Sequence, residues 1–369
     1  YENALAQIRK DIHEEKGDKA KRISKEERAS FDLIKKIDNT LYATTYTLDD
    51  GISLTSFNQQ YEQKVLLPTI PTTKFNGIDL NKNLTKGYMI FQSRDPFHKA
   101  SLTNAPVGYS DIYEVDLKDL SYRQITEDKR YYHAMLYENE NSLIALESVD
   151  DRYRLVKISL SDKSVEILYD NPSSSIYFPS THALNHIVAV VVEEGTSSLV
   201  LFDGTNWNTL IRATSHELRN PRFIDDETIS FVSDRDNPYS FYTIDIPSQE
   251  VSLRYTDSIG VLDGILDEKT LSYISYRATG ETLFAIEASL LSNRPVVFQP
   301  QQVISHTPVK NNEYEVKKFV DYPKFNLWVP LPYSENNSLI PAVWTIWTST
   351  LQKHVIQGQL GYSLTQEAP

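Results

Sequence analysis

Two segments of the chain begin like a zinc-peptidase motif. That chemistry needs His-Glu-x-x-His on a helix, so that both imidazoles reach one metal. His13-Glu14-Glu15-Lys16-Gly17 and His216-Glu217-Leu218-Arg219-Asn220 each lack the second histidine, and both read as surface segments. A serine hydrolase of the α/β type needs Gly-x-Ser-x-Gly at a strand-to-helix turn. Gly195-Thr196-Ser197-Ser198-Leu199 fails at its last position. The 12 glycines are scattered singly, so no glycine-rich loop precedes a helix to cradle a phosphate. The Asp-x-Asp-x-Asp-Gly pattern of a calcium loop is missing, and Asp234 and Asp236 are expected to cap a turn. With no cysteine in the chain, disulfides, zinc fingers and a cysteine nucleophile are excluded. The expectation is therefore no catalytic residue, no metal and no cofactor.

The elements that would position any site are strands. Residues 1–18 form the best helix candidate, with Leu5, Ile8 and Ile12 at helical spacing and Gly17 as a stop. From there to residue 300, runs rich in Val, Ile, Tyr and Thr alternate with clusters of Asp, Asn, Ser and Pro, which is strand-and-turn chemistry. A three-strand unit recurs, with starts at Leu41, Met89, Leu143, Ile187, Ile229 and Leu271, in steps of 48, 54, 44, 42 and 42 residues. Propeller blades repeat at roughly 40–45 residues. Phe31–Ile34, His133–Leu136, Pro221–Phe223 and Val261–Leu262 supply a preceding strand, which gives four strands per blade. Packing such sheets face to face around an axis buries their faces and leaves short edges. Either Ala20–Ser24 or Pro295–Phe298 completes the last sheet.

The repeat carries a family resemblance. Ser93-Arg94-Asp95 and Ser233-Asp234-Arg235-Asp236 follow strands, and Asp111-Ile112-Tyr113-Glu114-Val115-Asp116 is followed by Arg123-Gln124-Ile125-Thr126. These pieces resemble the TolB-type, WD40-like propeller repeat over roughly residues 20–300, most strongly in the second and fifth units. The resemblance implies an all-β, six-bladed β-propeller with four-stranded antiparallel blades. It identifies a fold much better than a function. Some members are metal-dependent lyases that gather histidines near the axis, and His133, His182, His186 and His216 lie near presumed blade starts. His182 and His186 would share a side of one strand only loosely, so no metal site is expected. His133, Phe178, Arg222 and Asp263, placed by repeat position, are the expected binding residues at the channel mouth.

After residue 300 the repeat stops, and prolines at 323, 330, 332 and 341 interrupt the chain. Tyr322 through Pro330 resembles the linker of bacterial envelope proteins that join such a propeller to a barrel. Residues 342–348 and 354–364 then alternate apolar with small or polar residues, as outer-membrane strands do. The alternative is a β-hairpin packed on the propeller. The division expected is a helix over 1–19, a propeller over 20–300 and a Pro-rich linker with a strand tail over 301–369.

The net charge of −13 opposes nucleic-acid binding, which draws affinity from basic faces. No apolar stretch is long enough for a transmembrane helix. The chain opens at Tyr1 with no Met and no signal-peptide pattern, and reads as the mature part of something longer. The leading reading is a non-catalytic propeller in the periplasm or at the outer membrane of a bacterium, binding or scaffolding a protein or peptide through one face. Two alternatives stay open: an accessory propeller of a peptidase whose catalytic domain lies outside these residues, and a metal-dependent carbohydrate-active propeller.

Overall fold

The computed structural model describes residues 19–25, 28–68, 78–94, 108–182, 184–300, 322–335, 338–349 and 355–361. The helix expected over residues 1–18 lies outside them. The chain divides into two compact units, 1–96 with 106–303, and 97–105 with 304–369.

Among its described residues the first unit is β-strand and loop, apart from a 3-10 turn at Ala288–Leu290. Its first sheet runs Ser30–Ile37, Thr40–Thr47, Gly51–Phe57 and Gln63–Leu67. The second runs Ile78–Leu80, Lys86–Arg94, Gly108–Asp116 and Tyr122–Gln124. The third comprises Tyr131–Tyr137, Ser142–Val149, Arg152–Ser159 and Val165–Tyr169, and the fourth Ser174–Thr181, Ile187–Glu193, Thr196–Phe202 and Trp207–Thr214. The fifth comprises Leu218–Phe223, Thr228–Ser233, Ser240–Asp245 and Val251–Thr256. The sixth begins with Asp263–Leu266, Thr270–Arg277 and Gly280–Glu287. Neighbouring strands within each sheet are antiparallel, and the first strands of successive sheets touch in a closed ring, the sixth returning to the first.

All six repeat starts fall in the second strand of a sheet. These strands lie in the middle of their sheets and have neighbours on both faces, so they are buried along most of their length, as in the run from Ile187 to Val191. One hydrophobic cluster fills each gap between sheets. Leu54, Leu67 and Met89 join the first to the second, and Phe231 and Leu199 sit between the fourth and fifth. Ile23, Leu33 and Leu283 join the sixth back to the first.

Closure uses one of the two expected segments. Lys21–Arg22 pairs with Phe284 and Ala285 as the fourth strand of the sixth sheet. Arg294–Val296 pairs with the last strand of the fifth sheet and makes it five-stranded. Val261–Leu262 is not itself a strand; it precedes Asp263–Leu266, with Leu262 N–H donating to the Ile274 carbonyl at 2.9 Å. Beyond the two paired residues, the closing segment is held by Ile23 N–H donating to the Leu283 carbonyl at 2.8 Å. Leu283 N–H in turn donates to the buried Ser24 hydroxyl at 3.0 Å. Ser24→Ala leaves that amide unpaired and is expected to lower stability by about 1–3 kcal/mol in urea unfolding; no loss would mean the closing segment does not hold the ring.

The second unit holds a three-stranded antiparallel sheet, ordered Lys324–Pro330, Ala342–Thr348, Val355–Gly361, and a short pair, Tyr333–Glu335 with Ser338–Ile340. The segment read as linker is thus itself a strand, and the expected hairpin is the other two strands of this sheet. Successive side chains on a strand point to opposite faces. The register puts Phe325, Trp328, Val343, Trp347, Ile356 and Leu360 on one face, and all six are exposed. Leu327, Trp344 and Ile346 lie on the other, with Gln357 and Gln359. Among the described residues no helix is long and apolar enough to cross a membrane.

Candidate functional site

In four first strands an extra residue interrupts the pairing, as at Leu33/Lys35 of the first sheet. In the third, fourth and fifth sheets the same bulge puts His133, Phe178 and Asn220 in the left-handed region, at φ 52, 50 and 48. Non-glycine residues adopt that conformation at a cost, and bulges re-aim side chains. Pro179 and Pro221 follow Phe178 and Asn220, and lie within the register shifts, where no ladder N–H is needed. The three bulges converge on a narrow central channel of about 60 Å³, lined by Asp32, His133, Phe178, Asn220 and Arg222 among others. The His133 and Phe178 rings meet at 6.3 Å, near-perpendicular.

Of the four expected site residues, His133, Phe178 and Arg222 line this channel, and Asp263 is tied to Arg222. Arg222 Nη2 donates to Asp263 Oδ2 at 2.8 Å, and the same guanidinium reaches across to the carbonyls of Leu33 at 2.7 Å and Ile34 at 3.0 Å. One side chain therefore links the fifth, sixth and first sheets. In the second sheet, Asp79 lies on the first strand. Like Asp263 with Gly264, it accepts from the next residue's N–H, Leu80, at 2.8 Å.

A ring of such bonds joins every neighbouring pair of sheets. Lys35 pairs with Asp79, and Lys36 with Asp267. Asp79 Oδ2 accepts from Leu136 N–H at 2.8 Å, and Thr181 Oγ1 donates to the Leu136 carbonyl at 2.9 Å. His182 Nε2 stands 3.3 Å from Asp226. Sequence reasoning missed Asp32, Lys35 and Asp79, because single charged residues at strand edges give no periodic signal.

At the end of the ring where the first strands finish, the channel opens into a pit of about 620 Å³, lined by Lys35, Lys36, Met135, Phe223, Arg254 and Asp267 among others, with Arg222 shared between pit and channel. His182 and His186 flank the turn beside it, with ring centroids 6.4 Å apart. Among the described residues no three His, Asp or Glu side chains stand close enough to hold a metal ion. Asp234 accepts from Glu217 N–H at 2.9 Å, and Asp236 from Tyr242 and Arg235, so both serve the fold.

Asp32 and His133 line the channel and are half-buried. Burial, aided by the charges of Asp263 and Glu281 against that of Arg222, pushes the Asp32 carboxyl up to about 6. Burial and the Arg222 charge push His133 down to about 4. Ordinary values are about 3.9 and 6.5. Between pH 4 and 6 folded Asp32 keeps a proton that the unfolded chain has released, so its contribution to stability falls as pH rises. His133 acts oppositely: between pH 6.5 and 4 the unfolded chain takes up a proton that the folded protein refuses, so stability falls as pH falls. The two slopes offset each other. Asp32→Asn is expected to expose the histidine slope and to gain, relative to wild type, on the order of 2–3 kcal/mol between pH 4 and pH 7. Urea unfolding across that range checks it, and parallel curves would contradict it.

No family model matches the chain, and no curated protein matches its sequence. Its structure resembles that of an oligogalacturonate lyase in complex with manganese, at TM-score 0.50 and 11% identity, over 93% of this chain and 92% of that one. It also resembles the acylaminoacyl peptidase of Pyrococcus horikoshii, at TM-score 0.50 and 10% identity, over 87% of this chain and 58% of that one. TolB from Acinetobacter baumannii is similar at TM-score 0.45 and 11% identity, over 91% and 79%. At these identities the likeness establishes the fold alone. The ring of sheets is a β-propeller.

Proposed function

We propose that the chain is a non-catalytic, six-bladed propeller of a bacterial cell envelope, each sheet one blade, which faces the periplasm and takes a protein or peptide partner in its pit. The observation that carries binding is the pit's construction. It is wide at the mouth, narrows to a channel crossed by Arg222, and most of its charged groups are engaged in bonds that join blades. Groups held this way shape a surface and are poorly free to move protons or attack a substrate. The expected set His133, Phe178, Arg222 and Asp263 serves, on this reading, as the floor of the site.

Placement in the envelope rests on the C-terminal sheet. On its last strand, Ile356 and Leu360 alternate with Gln357 and Gln359 as lipid-side and lumen-side residues do in outer-membrane strands, and Phe325 with Trp347 supplies an aromatic pair of the kind found in their girdles. The three strands among the described residues cannot close a barrel, since the smallest has about eight, so on this reading further strands complete it. Fractionation tests this. The native protein is expected to stay with the outer membrane through a salt wash and to come off only with detergent. Release by salt would remove the envelope-barrel reading, and turnover of a peptide or oligosaccharide by the purified chain, abolished by pit substitutions, would remove the non-catalytic one.

A further inference from the structure

Four basic side chains line the pit: Lys35, Lys36, Arg222 and Arg254. Three are neutralised within the fold, by Asp79, Asp267 and Asp263 respectively. Arg254 differs. Among the described residues its guanidinium makes no ion pair and no hydrogen bond, and its Nε is shut off from solvent without an acceptor. It lies on the fourth strand of the fifth sheet, where the alternation that sends Val251 and Leu253 into the core leaves Arg254 half-buried on the opposite face. A buried donor without an acceptor is costly to maintain. Residues that break a local rule with no compensation inside the fold are the ones to examine for function.

A guanidinium is a planar fork that matches a carboxylate or a phosphate with two parallel hydrogen bonds. The surroundings separate these ligands. Asp225, Asp267 and Glu268 stand around the same pit, and the chain carries a net charge of −13. That field repels multiply charged anions such as phosphorylated or nucleic-acid ligands, whereas a single carboxylate seated on Arg254 carries the least charge past the rim. Met135, Phe223 and Ile265 supply apolar wall beside it.

We propose that the pit takes its partner through one peptide carboxylate held by Arg254, with an apolar residue packed alongside. The inference rests on the peptide-binding reading above and names the group that decides specificity.

The whole chain, immobilised, is offered two pools of acetylated hexapeptides, one ending in a free carboxylate and one amidated, and bound peptides are identified by mass spectrometry. Wild type is expected to enrich carboxylate-bearing peptides about tenfold or more over Arg254→Met, the range of a charge-assisted hydrogen bond, and Arg254→Lys to recover part of that. Enrichment confined to the free-carboxylate pool identifies the chain terminus as the source; enrichment of Asp- or Glu-containing peptides from both pools identifies a side chain. The Arg254→Met variant is expected to melt no lower than wild type, because it removes a charge that nothing in the fold neutralises. Equal selection by wild type and Arg254→Met overturns the inference and leaves peptide binding standing. Selection of no peptide by wild type overturns the peptide-binding reading as well. A marked drop in melting temperature for Arg254→Met makes the residue structural and also overturns the inference.

Discussion

Replacing Arg222 by methionine is expected to destabilise the propeller by about 3–5 kcal/mol, the cost of breaking a buried ion pair from one side. The substitution strands Asp263, which is 5% exposed, and leaves the carbonyls of Leu33 and Ile34 without their donor. The loss has a signature in pH. Burial already holds the Asp263 carboxyl above its ordinary range, with Arg222 pulling against it. Without that cation the carboxyl rises further, so the folded variant keeps a proton that the unfolded chain gives up above about pH 4. The deficit of Arg222→Met should therefore be largest near neutrality and shrink toward pH 4. Arg222→Met combined with Asp263→Asn should recover a substantial part of it, because no charge is then left buried. Urea unfolding of the two single variants and the double variant at both pH values measures this. Additive losses would mean that the pair does not act as a unit.

Asp257→Ala should be comparably damaging, at about 3–5 kcal/mol. Asp257 is fully buried in the connection from the fifth sheet to the sixth. Its Oδ2 accepts from Arg277 at 2.8 Å and Tyr273 at 2.9 Å, and its Oδ1 from Ser275 and Ile259 N–H at 3.0 Å each. Removing the carboxylate takes away the buried charge facing the Arg277 guanidinium, which is 12% exposed, and deprives Ser275 Oγ and Ile259 N–H of this acceptor. Burial pushes this carboxyl up, but the hydrogen bonds and the Arg277 charge outweigh it and hold it below its ordinary value. The sign is opposite to that of Asp32. Stability from Asp257 is present above about pH 4 and is lost as pH falls below that, so Asp257→Ala and wild type should converge in acid. Asp257→Asn, which keeps the shape and several acceptor contacts, should lose less at neutral pH. An alanine variant as stable as wild type would contradict the network.

The strands that the sequence makes legible are the buried ones. Ile187-Val188-Ala189-Val190-Val191-Val192 and Ile229-Ser230-Phe231-Val232 lie between two other strands and two other sheets, so burial on every side forces apolar composition, and the period of the ring follows from them. Two first strands escape notice for the opposite reason. Ser174–Thr181 is rich in Ser and Thr and carries Pro179, and Ile78–Leu80 is three residues long; both border the central channel, which relaxes the demand for apolar residues. The closing strand Lys21–Arg22 is legible only as one of two candidates, Ala20–Ser24 or Pro295–Phe298, because two residues carry no period. Lys324–Pro330 reads as a linker because prolines flank it.

The site is legible in part. Repeat position brings His133, Phe178 and Arg222 to one channel, with Asp263 bonded to Arg222, since equivalent positions of a ring converge on its axis. The pairing partners are not legible, because Arg222 reaches Leu33 across 189 residues of sequence. Arg254 is invisible in the pattern Val251-Ser252-Leu253-Arg254, where an arginine opposite two core residues reads as a solvent-facing polar position. Arg254 is the extra residue at the register shift between Phe241 and Tyr242, and the sequence carries no sign of that shift.

The most direct test of binding at this face is a photo-crosslinker in place of Glu268, an exposed residue of the pit, with a second protein carrying the same group at Val165, exposed on the last strand of the third sheet. Irradiation of intact cells should give a discrete adduct from the Glu268 position and none from the Val165 position, with the adduct lost in the Arg254→Met background. No adduct at Glu268, or the same adducts from both positions, would contradict a partner seated in the pit.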